Sequence, residues 1–108
     1  MLVLLDQGTP VPIRLYLTGH TVRTAAQQGW STLPNGELLQ AAEAAGFDVL
    51  VTTDKNLVFQ QSLKERKIAV VVLGNPQWPV AQLHVQSIVA AVSASTPGSC
   101  VVVDIPRK

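Results

Sequence analysis

Three runs in this chain are almost wholly apolar and no longer than a strand: Leu2-Val3-Leu4-Leu5, Val49-Leu50-Val51-Thr52 and Ile68-Ala69-Val70-Val71-Val72-Leu73. A strand with one wet face alternates apolar and polar residues. Unbroken runs of Val, Leu and Ile belong instead to strands buried on both sides, as in a parallel sheet with helices above and below. The runs are assigned as strands over 2–5, 48–53 and 68–73. Weaker strands are expected over 20–25 (His20-Thr21-Val22-Arg23-Thr24-Ala25) and 100–105. Helical-period segments fall between them, near 11–18, 35–45, 57–65 and 80–94. The pattern predicts an α/β three-layer sandwich, a mainly parallel twisted sheet of about five strands with helices on both faces.

Punctuation along the chain supports these bounds. Gly19 and Gly46 stand where helices should stop, and Pro97-Gly98 marks the exit from the last one. Pro76 and Pro79 flank Trp78 in what reads as the loop entering that helix. Trp30 and Trp78 read as covers for the edges of the core rather than as stacking platforms for bases. No internal repeat or low-complexity segment interrupts the chain.

The chain of 108 residues reads as a single domain over 1–108, with 47% hydrophobic residues to build a core. A formal net charge of +1 lacks the strongly basic footprint of a dedicated nucleic-acid binder, so any basic patch must be local. One cysteine, Cys100, excludes an intrachain disulfide and a cysteine-based zinc site. The opening Met-Leu-Val-Leu-Leu-Asp has neither the basic start nor the length of a secretion signal, and no apolar stretch approaches a membrane span. A cytoplasmic location with no membrane contact is the expectation.

Against this frame, the acids sort by position. Asp6 follows the first strand and Asp54 the third. Ligands of an open parallel sheet gather outside the carboxyl ends of its strands, where both aspartates stand. The helix near 35–45 should start at that same edge, with Asn35 as its N-cap and Glu37 in its first turn. Converging carboxylates repel each other unless a cation lies between them, and an all-oxygen set suits Mg²⁺ or Mn²⁺. Asp48 precedes its strand and falls at the opposite edge, and Glu43 lies further along the helix, so neither belongs to the set. Asp104 follows the last strand, an expected edge strand, and reads as a surface acid. The plainer reading makes Asp6 a cap for the helix near 11–18 and Asp54 a cap for the one starting at 57.

Around these acids, Gln7, Asn35, Thr52, Lys55 and Asn56 are candidates to contact substrate, with Thr53 and Arg14 as weaker ones. His20 and His84 show no metal-ligand spacing, and neither reads as a catalytic base.

Leu4-Leu5-Asp6, Gly19-His20, Asn35-Gly36-Glu37-Leu38-Leu39 and Val49-Leu50-Val51-Thr52-Thr53-Asp54-Lys55-Asn56 together resemble the short bacterial PIN-like proteins. These are relatives of the PIN-domain ribonucleases and of the VapC-type toxins. The resemblance reaches to about Leu73, and its most specific piece is the strand ending Thr-x-Asp-Lys. It implies a Mg²⁺- or Mn²⁺-dependent endoribonuclease with Asp6, Glu37 and Asp54 as metal ligands. The partners it implies are RNA and, for a toxin, an antitoxin protein; a homodimer is a further expectation. Asn35 and Asn56 stand where the family has aspartates. That departure keeps open a second reading, a PIN-like module without catalysis that binds RNA or a protein. A third is a receiver-like signalling domain phosphorylated on aspartate, although Leu73-Gly74 brings no hydroxyl to the fourth strand's end.

Overall fold

The computed structural model describes residues 1–54, 66–75 and 77–105. Strands β1 (Leu2–Leu5), β2 (Thr21–Thr24), β3 (Val49–Thr52), β4 (Ala69–Leu73) and β5 (Cys100–Val103) form one sheet in the order β2-β1-β3-β4-β5. Every neighbouring pair is parallel, with Leu5 opposite both Thr24 and Val51, and Leu73 opposite Val103. The three apolar runs occupy the interior of the order, and β3 and β4 are buried at every position. The weaker β2 and β5 take the two edges, where half the surface stays wet.

Alternation along each strand feeds two separate cores. Val3, Leu5, Val49, Val51, Ala69, Val71 and Leu73 pack on one face with Ile13, Leu17, Ala81, Ile88 and Val92. Leu4, Leu50, Val70 and Val72 pack on the other with Leu38, Leu39, Ala42 and Phe47. The first face is covered by a 3-10 helix (Val11–Leu15) and by a helical stretch made of α2 (Trp78–Ala81), a 3-10 turn (Gln82–His84) and α3 (Val85–Ser93). The second is covered by α1 (Asn35–Ala44). This is the three-layer α/β sandwich that the apolar runs require. Trp78 packs against the first core and pairs with Tyr16, ring centroids 5.8 Å apart. Trp30 packs against the second and meets Phe47 edge-on at 5.9 Å.

The helices differ in detail from expectation, each for a local reason. The helix expected over 11–18 is only a 3-10 helix: Pro12 lacks an N–H, and the Tyr16 N–H bonds back three residues to the Ile13 carbonyl at 3.0 Å. Helix α1 begins at Asn35 with Pro34 in the cap position, so Asn35 is its first residue rather than its N-cap. It ends as expected, because Gly46 takes a φ of +88°. That left-handed turn lets the Gly46 N–H reach the Glu43 carbonyl and the Phe47 N–H reach the Ala42 carbonyl, 3.1 and 2.9 Å away. Trp78 and Pro79 lie inside the first turn of α2, not in a loop before it; a proline is accommodated there because that N–H has no helical partner to lose. The helix expected near 57–65 lies outside the described residues.

The order places a topological switch between β1 and β3: the chain leaves β1 toward β2 on one side and β3 toward β4 on the other. It also carries an unusual crossover. From β1 to β2 and from β4 to β5 the chain steps in opposite directions along the sheet, yet both connections cover the same face. They are therefore of opposite hand. The step from β2 to β3 runs over the other face through α1 and shares the hand of the first. Among the described crossovers the β4–β5 one differs in hand from the other two, so they do not all obey the right-handed rule that holds for about 98% of such units.

Among the described residues, no helix is long and apolar enough to cross a membrane.

Candidate functional site

Because all strands are parallel, one edge of the sheet collects every strand's carboxyl end, and Asp6 and Asp54 both stand there at the switch point. Asp6 extends β1 by one residue, its N–H bonding to the Val51 carbonyl at 2.9 Å. Its carboxylate is half-buried and held by two donors: the Gln7 N–H gives 2.7 Å to Oδ1, and the Thr52 hydroxyl gives 2.8 Å to Oδ2. The same Thr52 oxygen accepts the Asp54 N–H at 3.1 Å. One buried hydroxyl thus joins the two acid-bearing strand ends, fixing the Asp6 carboxylate and the backbone that carries Asp54.

The loop after β1 folds back over β3 to close this arrangement. The buried Thr9 donates its hydroxyl to the Val51 carbonyl at 2.9 Å. Gly8 lies so close to β3 that a Cβ there would come within 2.9 Å of Thr53 Oγ1. Asp6 does not cap the 3-10 helix that follows; Pro10 occupies that cap position and no side chain bonds there.

Glu37 does not join the pair. It sits in the first turn of α1 as expected, but it is exposed. Among the described residues no three His, Cys, Asp or Glu side chains come together as a group that could hold a metal. The cause is the helix's own geometry. Leu38, Leu39 and Ala42 are buried and fix the inward direction. At 100° per residue, Glu37 projects roughly 145° away from their mean direction. The two aspartates remain at the ends of neighbouring strands, linked through Thr52.

The remaining candidates separate clearly. Thr52, expected to touch substrate, has no exposed surface and serves to position Asp6. Gln7 is exposed beside Asp6. Asn35 opens α1, while Lys55 and Asn56 lie outside the described residues. Asp104 is at the same edge but directly after β5, beyond β4 from Asp54's strand. Arg14 is exposed on the 3-10 helix.

The two acids set aside have structural work at the opposite edge. Asp48 accepts the Leu2 N–H at 2.8 Å, and Glu43 accepts the Lys67 N–H and pairs with Arg66 at 3.6 Å. His20 is there too, its Nδ1 3.2 Å from the Met1 amino group and its Nε2 3.4 Å from Ser93 Oγ, far from the aspartates. Cys100, at the start of β5, is half-buried against the second core, and burial raises its thiol pKa above the ordinary range. It is no activated nucleophile.

Thr52→Val is the direct test of the hydroxyl. It keeps the shape, but leaves Asp6 Oδ2 without its donor and the Asp54 N–H without its acceptor. Mn²⁺ affinity at the pair should fall by about 10–100-fold, the usual loss when a group supporting a ligand is removed. Stability should fall by about 1–3 kcal/mol. Thr52→Ser should restore both; unchanged Mn²⁺ titration of Thr52→Val would remove the hydroxyl from the site.

No family model matches the chain, and neither a curated protein nor a solved structure matches it.

Proposed function

We propose that the paired strand ends carrying Asp6 and Asp54 bind Mg²⁺ or Mn²⁺ and support hydrolysis of RNA phosphodiester bonds, in a cytoplasmic endoribonuclease of PIN type. The observation that carries this reading is the pair itself: two half-buried aspartates on adjacent parallel strands at the switch point, coupled through the Thr52 hydroxyl. Mg²⁺ is commonly held by one or two carboxylates together with waters and substrate phosphates, so a pair suffices where a cluster of three is absent. The bound ion would polarise a phosphoryl oxygen and make its water a better nucleophile. Asp6 and Asp54 supply the negative charge, and Thr52 keeps Asp6 in one orientation. Gln7 at the rim, and Lys55 and Asn56 directly after Asp54 in sequence, are the side chains assigned to the RNA backbone, with Asn35 at the start of α1. An antitoxin protein is the partner this reading implies.

One observation favours a second reading. With Glu37 turned to solvent and asparagine at 35 and 56, the edge holds less negative charge than the PIN-like pattern, as suits a module that binds RNA or a protein without cutting. The receiver-like reading is disfavoured by topology. In a sheet of this order with uniformly right-handed crossovers, the β4–β5 helix would share a face with α1, and here it lies on the opposite one.

The test is cleavage of single-stranded RNA by the full chain. Fragments should form with Mn²⁺, disappear with EDTA, and be absent in Asp54→Asn at an unchanged thermal midpoint in metal-free buffer. No cleavage with either metal would leave the non-catalytic module. Equal cleavage by Asp54→Asn would contradict the assignment of the site.

A further inference from the structure

Three threonines stand where β1 and β3 end, and two of them are committed. Thr9 donates to the Val51 carbonyl, and Thr52 joins Asp6 to the Asp54 backbone. Thr53 is the third. It is half-buried, and its hydroxyl makes no hydrogen bond among the described residues. No buried side-chain oxygen among them lacks a partner, so this hydroxyl is open to the surface. Gly8 is what leaves it open. The φ of Gly8 is not positive, unlike that of Gly19, Gly29, Gly46 and Gly98, so the backbone itself does not call for glycine there. A Cβ on Gly8 would meet one atom within 4 Å, Thr53 Oγ1 at 2.9 Å. Thr53 is β-branched and stiff at χ1, so its hydroxyl does not swing aside freely. The glycine keeps a space in front of one unbonded hydroxyl.

The geometry points to a phosphate subsite in which the Thr53 hydroxyl and the Gly8 N–H hold one backbone phosphate oxygen of the RNA beside the aspartate pair. The Gln7 N–H is taken by Asp6 Oδ1 and the Thr9 N–H by the Asp6 carbonyl, whereas the Gly8 N–H between them has no partner among the described residues. A Cβ lies about 2.5 Å from its own backbone nitrogen, so the Gly8 nitrogen stands at most about 5.4 Å from Thr53 Oγ1. One oxygen accepting from both at about 2.8 Å each spans that gap. Threonine hydroxyls and backbone N–H groups are ordinary phosphate donors. Being neutral, this pair can hold an anionic oxygen without forming ion pairs with the aspartates that would hold the metal. Alternation also gives the strand a path. Val51 faces the first core, so Thr53 is turned to that side, while Leu50 and Thr52 are turned to the other. A strand engaged by both the aspartate pair and Thr53 crosses the sheet edge from the α1 side to the 3-10 helix side. This rests on the reading of the edge as an RNA site, and not on catalysis there.

Binding of a fluorescein-labelled single-stranded RNA to the full chain in EDTA, read by anisotropy, tests the subsite apart from cleavage. The wild type should bind, and Thr53→Val should weaken binding about 10-fold or more, the usual worth of a hydrogen bond to a charged group. Thr53→Val breaks no bond within the chain, so its thermal midpoint and its Mn²⁺ uptake should match the wild type, which a structural role would not allow. Thr53→Ser should restore binding, and Gly8→Ala should lose it as Thr53→Val does. A strand of the same bases with neutral methylphosphonate links should bind wild type and Thr53→Val alike, marking the contact as one to phosphate. RNA binding unchanged in Thr53→Val would overturn the subsite even if Mn²⁺-dependent cleavage proceeds. So would no binding by the wild type, or the same loss with the neutral strand. Binding that falls in Thr53→Val, from a wild type that makes no fragments with Mn²⁺, would uphold the subsite and remove the nuclease reading alone.

Discussion

Asp6→Asn is expected to abolish Mn²⁺-dependent cleavage of single-stranded RNA while the chain stays folded. Asparagine has nearly the shape of aspartate. Its carbonyl can still accept the Gln7 N–H, now made at 2.7 Å, and its amide can face the Thr52 oxygen, now 2.8 Å away. What disappears is the charge. A divalent ion held by only two carboxylates loses half of its protein anionic ligands. The loss in cleavage rate should be at least about 100-fold, because even groups that merely support a ligand are worth 10–100-fold. The hydrogen-bond cost should be about 1 kcal/mol, which lowers the midpoint by less than about 8 °C. A variant that cuts RNA at the wild-type rate would exclude Asp6 from the site. A variant that unfolds would make the aspartate's role structural.

Leu50→Ala should have the largest effect on stability. Leu50 lies in β3, the middle strand of the five, with no exposed surface. It packs in the second core among Leu38, Leu39, Ala42 and Phe47. The substitution loses the burial of the removed carbons and leaves a cavity that a strand held on both sides cannot close. The expected cost is about 3 kcal/mol within the usual range of 2–5. At about 4–8 °C per kcal/mol, the midpoint should drop by at least about 12 °C, read by thermal melts at one protein concentration. Val102→Ala, at a 58% exposed position on β5, should stay within about 0.5 kcal/mol of wild type. A loss below about 1 kcal/mol at Leu50 would contradict its placement in the core.

The contrast between Leu50 and Glu37 shows what the sequence could convey. Val49-Leu50-Val51 needs no partner to be read: an unbroken apolar run must be covered on both sides, and the carboxyl end of such a strand is where an acid meets ligand. The placing of Asp6 and Asp54 at one sheet edge is legible for that reason. Glu37 was placed correctly in the first turn of α1, but being in the right turn is not facing the right way. Leu38, Leu39 and Ala42 set the direction of the helix, and counting angles from them turns Glu37 to solvent. That signal is in the sequence itself. The Thr52 hydroxyl was not legible in the same sense. Its role depends on Leu5 pairing with Val51, which brings Thr52 opposite Asp6, and register between distant strands is not written in either one. Nor could local pattern give the face on which the β4–β5 connection lies, since that is settled by which core receives Ile88 and Val92.

Mn²⁺ binding to the metal-free full chain, followed by electron paramagnetic resonance of the free ion, bears most directly on the paired-aspartate site. The wild type should take up about one Mn²⁺ per chain at millimolar or lower concentration. Asp6→Asn and Asp54→Asn should each remove that uptake, while Glu37→Gln should bind as the wild type does. No uptake at about 5 mM Mn²⁺, or uptake that survives both aspartate substitutions, would contradict a metal centre at this sheet edge.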